Sequence, residues 1–397
     1  MNTDAPRVLL VMPEPRVLRA AVAAGLEPWS VGDPAWSAAV DARPGTLEAR
    51  HPTVRVRDGE TLHSVLTRTA RAHAIGHILY AGDEEAVHLS VERAAAELSP
   101  ARAGPVRTLR DPRAMRRVLN QGGVSVVRAE PAPTVAAVRS LAARHSGPLV
   151  VKSPGAPGAT LLRDGDDLDR WAAAAPAGPH LVEEYLPGPR ISVDTLSREG
   201  MHTVTAMTAH HRRGAELLYP APLSEEERAG VRSVVRALLD LAGFETGPAH
   251  TRVVVTPDGP RIAAATPRLA PPPVRCLVRA ATGRPPDEDV LATLAGAAPP
   301  HHPTPDGSLA LGRLPLPGAA PEVTAILDDL GHSPHVRDVR GVPATGRRPE
   351  HVRLIVRGRT AREAAERLAR LRRRWELRLR DAESRSSGGG IETGTGR

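Results

Sequence analysis

Residues 150–160 read VVKSPGAPGAT: a short apolar run, a lysine at its end, then glycines, prolines and small residues. The pattern predicts a buried strand over 148–152 that delivers Lys152 to the start of a loop holding Gly155 and Gly158. Glycines let backbone N–H groups approach phosphate oxygens, and a lysine at a strand end can neutralise them. A P-loop is excluded, because the lysine precedes the glycines and no Ser or Thr follows it in the required helix. Some thirty residues on, 181–194 read LVEEYLPGPRISVD, which puts Glu183 and Glu184 at the end of a second strand, ahead of a turn at Gly188. A strand end of this kind offers backbone to an adenine edge and carboxylates to sugar hydroxyls. The two stretches together sketch a nucleotide site.

Composition gives Lys152 its weight. Lysine and arginine total 53, and Lys152 is the only lysine among them. With abundant Ala, Gly and Pro, such a skew reads as base composition converting Lys codons to Arg, so the net charge of +8 is weak grounds for nucleic-acid binding. A lysine surviving that drift marks either a pocket needing a compact ammonium or chance retention. At 397 residues with 41% hydrophobic content, the chain is long enough for two or three units with real cores, which excludes global disorder. The lone Cys276 cannot form an internal disulfide, no run approaches a membrane span, and the apolar stretch near the N-terminus is too short for a signal peptide. These features predict a cytoplasmic location without membrane association.

The chain opens as an α/β unit, with strands over 7–12 and 77–80 and helices over 17–25 and 84–98, an alternation that predicts a parallel sheet. A helix over 111–121 is capped by Asp111 and closed by Gly122-Gly123, and another spans 134–145. Strands follow at 180–184, 191–197 and 203–209, then a helix over 224–243. A hairpin of 251–256 and 261–266 turns about Pro257-Asp258-Gly259, and Pro271, Pro272 and Pro273 end that sheet. Pairing about Asp258 sets Arg252 opposite Ala264 and His250 opposite Thr266, and alternation then puts these side chains, with Arg268, on one face. A last unit holds a strand over 351–356 and a helix over 360–379, whose stripe of Ala365, Leu368, Leu371 and Trp375 favours packing over RNA binding for its arginine-rich surface. The adjacent pairs His210-His211 and His301-His302 point to opposite faces, so neither is read as a metal site.

From 111 onward the segments DPRAMRRVLNQGGVSVV, VVKSPGAPG, LVEEYLPGPRISVD and GPAHTRVVVTPDGPRIAAATPRL resemble, in order and spacing, the ATP-grasp superfamily. The likeness is to its carboxylate-amine and L-amino-acid ligases. It implies an α/β and α+β architecture: a Rossmann-like pre-ATP-grasp domain over 1–108, an ATP-grasp domain over 109–300 and a small α+β ligase-like cap over 301–381; the Gly/Ser-rich composition of 382–397 predicts a disordered tail. It also implies ATP as cofactor, a small carboxylate or amino acid as substrate, and an acyl phosphate intermediate. Lys152, Gly155 and Gly158 would then meet phosphate, Glu183 to Leu186 would hold adenine with help from Glu184, and Arg268 would be the catalytic contact to phosphate or substrate carboxylate.

The departures from the family pattern bear on activity. A phosphate-binding lysine falls on Pro112 and a ribose-binding glutamate on Arg190. The family's Mg2+-ligating glutamates and asparagine fall on Arg252, Ala264 and Thr266, which supply no carboxylate. No metal ligand is assigned, although Glu183, Glu184 and Asp194 lie on neighbouring strands as substitutes. The chain is therefore expected to be a weak ligase or a pseudoenzyme. The alternative is a non-catalytic partner or substrate-binding subunit of an active ligase.

Overall fold

The computed structural model describes residues 5–41, 51–153, 158–210, 217–300, 305–315, 327–343 and 349–388. Gly155, His211, His301 and His302 lie outside them. The chain divides into two compact units, one of Met1–Thr205, Leu223–Pro272 and Pro286–His301, the other of Ala206–Pro222, Pro273–Pro285 and His302–Arg397.

The first unit opens with β1 (Arg7–Val11), α1 (Pro15–Ala23), β2 (Glu27–Gly32), α2 (Pro34–Asp41), β3 (Thr53–Arg55), α3 (Leu62–Ala72), β4 (His77–Tyr80), α4 (Glu85–Leu98) and α5 (Pro100–Arg110). Its strands form a parallel sheet in the order β3-β2-β1-β4. Both faces of β1 are covered: Val8 and Leu10 pack with Val17 and Leu18 of α1, while Leu9 and Val11 pack with Val65 and Leu66 of α3. Double burial explains why RVLLV is a continuous apolar run without alternation. The expected parallel sheet is present, and sequence reading omitted β2, β3 and α3. It also ended a helix at Pro100, which holds at Leu98, but Pro100 then starts α5, since a proline costs nothing at a first helical position.

The unit continues with α6 (Pro112–Gln121), β5 (Ala129–Ala132), α7 (Val135–Arg144), β6 (Leu149–Lys152), β7 (Thr160–Leu162), α8 (Gly165–Ala174), β8 (His180–Glu184), β9 (Arg190–Arg198) and β10 (Met201–His210), the last of which crosses into the second unit. The Asp111 side chain caps α6 by accepting from the N–H of Arg113 at 2.9 Å. An antiparallel sheet of order β5-β8-β6-β7 packs its inner face on Val138, Leu141 and Trp171. After β11 (Leu217–Tyr219) come α9 (Glu225–Ala242), β12 (Gly247–Thr256) and β13 (Gly259–Thr266). Ser224 and Glu227 form a capping box at the start of α9, and Gly243 closes it in the left-handed conformation at φ 67°. The order β13-β12-β9-β10 makes the second antiparallel surface of this unit.

The triple proline that ends the hairpin sheet also starts α10 (Pro272–Thr282), and α11 (Pro286–Leu294) follows. The second unit holds β11, α10, β14 (Ser308–Pro315), β15 (Val336–Pro343), β16 (Pro349–Gly358) and α12 (Ala361–Gly388), with β14-β16-β15 antiparallel. The α12 stripe is centred on Ala364, Leu368 and Trp375, all fully buried, and the Trp375 indole donates to the carbonyl of Pro315 at 3.1 Å. Packing therefore accounts for the apolar face of this arginine-rich helix. The helix runs to Gly388, so residues 382–388, expected to belong to a disordered tail, are helical instead, and 389–397 lie outside the described residues. No helix among the described residues is long and apolar enough to cross a membrane.

Candidate nucleotide site

Lys152 ends β6 and sits on the same face as Glu183 of β8, because Val150 pairs directly with Glu183 and Lys152 is two residues along. Its ammonium is 2.6 Å from Glu183 Oε2 and donates to the carbonyl of Ala263 at 2.7 Å. The other Glu183 oxygen accepts from Arg116 Nε at 2.8 Å. Arg116 further donates to the carbonyls of Ser125 at 3.1 Å and Ile262 at 2.6 Å, while Ser125 Oγ accepts from the N–H of Ile262 at 2.6 Å. All three charged side chains are nearly inaccessible, at 9% for Lys152 and 3–4% for Arg116 and Glu183. Burial lowers the Lys152 pKa, and Glu183 opposes the shift.

The hairpin explains why this cluster reaches β13. His250 pairs with Thr266 and Arg252 with Ala264, the expected register, but Val253 pairs with Ile262. Ala263 is thus an extra residue, a bulge whose carbonyl the ladder leaves over. Lys152 takes that carbonyl. An ammonium has three donors, and two are now committed, which leaves one for any phosphate. Sequence reading missed Arg116, although its neighbours Met115 and Leu119 are core residues of α6 and place it on the inward side of the helix.

Glu184 does not extend the cluster, since its Oε1 accepts from the N–H of Arg128 at 2.7 Å. The turn after Leu186 is tied to the hairpin, where the N–H of Val255 donates to the carbonyl of Pro189 at 3.0 Å. A Cβ at Gly188, φ 140°, would lie 2.0 Å from the carbonyl oxygen of Val255, so only glycine fits there. Gly158 also has positive φ, at 89°, with open space around it.

On the β9–β12–β13 face, Asp194 pairs with His250 and Ser192 with Arg252. Asp194 Oδ1 is 2.7 Å from His250 Nδ1, and His250 Nε2 is 3.4 Å from Ser192 Oγ. This Ser–His–Asp order is not a nucleophile site, because Ser192 is fully buried. Solvent reaches the Arg252 side chain, yet protein packed around its guanidinium lowers its pKa, and the charges of Arg268 and Arg190 lower it further. A divalent cation does not fit this face. Among the described residues no three His, Cys, Asp or Glu are grouped to hold a metal. The three substitute carboxylates are engaged, Glu183 by Lys152 and Arg116, Glu184 by backbone, Asp194 by His250.

Arg268 turns toward α4, where it is 2.8 Å from Glu85. Arg110 pairs with the same Glu85 and, at 2.8 Å, with Glu92. Glu92 and Arg268 border a cavity of about 370 Å³ that Tyr80, His88, Arg102 and Phe244 also line. Glu92 Oε2 is buried without a hydrogen-bond partner, and burial raises its pKa to about 7 against the pull of Arg110. Burial likewise pushes His77 and His88 down to about 4. Nothing in the spacing of 77–110 announced this network, because its members meet through tertiary packing.

The fold recurs in solved structures. An L-amino acid ligase from Bacillus licheniformis superposes with a TM-score of 0.69 at 17% identity, covering 94% of this chain and 97% of that one. The fold is that of the ATP-grasp ligases. An N5-carboxyaminoimidazole synthetase from Staphylococcus aureus, complexed with ADP, gives a TM-score of 0.68 at 12% identity over 93% and 98% of the two chains. The biotin carboxylase domain of the Hydrogenobacter thermophilus 2-oxoglutarate carboxylase, in complex with MgADP, gives 0.63 at 14% identity over 91% and 88%. No family model matches the sequence. An uncharacterized protein, y4rH, from Sinorhizobium fredii is 30% identical over 181 residues, which span 42% of this chain and 38% of that relative.

Proposed function

We propose that this protein binds ATP on an ATP-grasp scaffold and is a weak or inactive carboxylate-amine ligase. The observation that carries the proposal is the hairpin face, where Arg252, Ala264 and Thr266 hold the positions at which the resembling family ligates Mg2+. Phosphoryl transfer depends on a cation that bridges the phosphates and offsets charge developing in the transition state. Arginines placed on the face bind charge, but they do not bridge oxygens as a metal does. ATP would lie with its adenine along 183–186 and its phosphates toward Gly158, the third donor of Lys152 and Arg252. A small carboxylate or amino acid is the proposed substrate class, by likeness to the B. licheniformis ligase, with Arg268 as its contact. We place the protein in the cytoplasm.

Calorimetric titration with ATP, with and without Mg2+, tests this reading. Binding that Mg2+ changes little, without ADP release in the presence of amino acids, supports it. Absence of ATP binding in both buffers overturns it and favours the second reading, a partner or substrate-binding subunit of an active ligase. That second reading draws on the same cluster, since Lys152 is already committed to Glu183 and Ala263.

A further inference from the structure

The cation that the fold implies and the residues on its face disagree, and the disagreement has chemical content. Arg190 lies two residues from Ser192 on β9, and Ser192 pairs with Arg252, so alternation sets both arginines on one face. Arg268 follows β13 closely enough for its charge to act on Arg252. Glu85 offsets Arg268, whereas Asp194, on the same face by register, is turned to His250. Both Arg190 and Arg252 are exposed, and Ala264 opposite Arg252 brings no counter-charge to the face. Like charges held together in this way are unfavourable until an anion joins them, and the planar fork of a guanidinium matches a phosphate with two parallel hydrogen bonds.

We infer that this face is a metal-independent oxyanion site, at which Arg190, Arg252 and Arg268 take a polyphosphate chain directly. The inference rests on the nucleotide reading above for the identity of the natural ligand, and on the arginine cluster for the site itself. Its consequence is that a divalent cation brings no gain in affinity, because fixed cations already fill that role.

The test is calorimetry of the full chain with sodium tripolyphosphate in chelator-containing buffer, repeated with excess Mg2+ and then with ATP. Tripolyphosphate should bind without metal, and Mg2+ should not tighten it. Arg252→Ala and, separately, Arg190→Ala should each weaken binding roughly tenfold to a hundredfold, the scale of a lost charge-assisted hydrogen bond. Arg252→Lys should retain part of the affinity, which separates lost charge from lost folding, and melting curves check that each variant is folded. No binding of tripolyphosphate, binding that requires Mg2+, or equal affinity of wild type and both alanine variants overturns the inference. Tripolyphosphate binding without ATP binding would sustain the oxyanion site and remove the nucleotide reading. ATP binding only as its magnesium complex would do the reverse.

Discussion

Two charged regions of the first unit obey opposite rules. Around Lys152, two cations and a carboxylate are buried together and nearly every polar atom has a partner, down to the carbonyl left over by the β13 bulge. On the hairpin face, Arg190 and Arg252 stand in solvent beside a third arginine. The first is a closed electrostatic system that holds β6, β8, α6 and β13 in register; the second is open and gains from a ligand. The contrast also accounts for the one lysine. Arg116 already occupies one side of Glu183, and the compact ammonium of Lys152 reaches both the other Glu183 oxygen and the carbonyl of Ala263.

Substitutions should expose the difference, beginning with the largest effect. Glu183→Ala leaves two buried cations without a counter-charge and should cost about 3–5 kcal/mol of stability, read by denaturant unfolding. Replacing Arg116, Glu183 and Lys152 together by Met, Leu and Met should recover most of that loss, because no uncompensated charge remains. A full loss in the triple variant would show that hydrogen bonds to the bulge, rather than charge balance, dominate. Lys152→Ala is milder, since Glu183 keeps Arg116, and should cost about 1–3 kcal/mol while weakening ATP binding by a similar amount. Lys152→Arg should also impair binding; unchanged affinity would mean that charge alone is required.

The Glu92 network lies between the two extremes, with one oxygen paired and one unsatisfied. Its carboxyl pKa is raised to about 7 from 4.5, so folding takes up a proton in that interval and the Glu92 contribution is lost as pH rises from about 4.5 to 7. Glu92→Gln should therefore match wild type at acidic pH and be more stable above pH 7, by at most about 3 kcal/mol. His77 and His88 act with opposite sign: their pKa values fall to about 4 from 6.5, so their contribution is present above pH 6.5 and fades as pH drops to 4. A melting-temperature series against pH, with Glu92→Gln and His88→Asn in parallel, checks both directions.

The smallest stability effect belongs to the open face. Arg252→Ala should change folding stability by less than about 0.5 kcal/mol, or raise it slightly, because it removes the like-charge repulsion from Arg268 and Arg190. A loss as large as that of Glu183→Ala would erase the distinction between closed and open regions.

Much of this was legible in the sequence where side-chain period decides the answer. Pairs 250–266 and 252–264 are present as expected, but the turn alone does not set them: next to it Val253 pairs with Ile262, and the bulge at Ala263 shifts the register by one to give the expected pairs. The bulge was not legible, because Ala263, Ala264 and Ala265 are alike and any of them could be the extra residue. Lys152 was singled out from composition, but its engagement with the Ala263 carbonyl was hidden, since a backbone acceptor leaves no mark in a sequence. Arg116 and Glu92 were missed for a related reason: each becomes meaningful only when a distant helix or strand packs against it. Of the omitted elements, β2 and α5 carry internal prolines or glycines that tertiary packing tolerates, and β3 is only three residues long.

The central claim is that arginine has replaced the metal on the hairpin face, and steady-state ADP formation against Mg2+ concentration tests it most directly. The assay compares wild type with the combined variant Arg252→Glu, Ala264→Glu and Thr266→Asn, supplying ATP and amino acids. Wild type should show negligible turnover and no Mg2+ dependence, whereas the variant, titrated in parallel with ATP by calorimetry, should acquire Mg2+-dependent nucleotide binding even if Pro112 and Arg190 still block turnover. Robust Mg2+-dependent ADP formation by the unmodified protein would contradict the account.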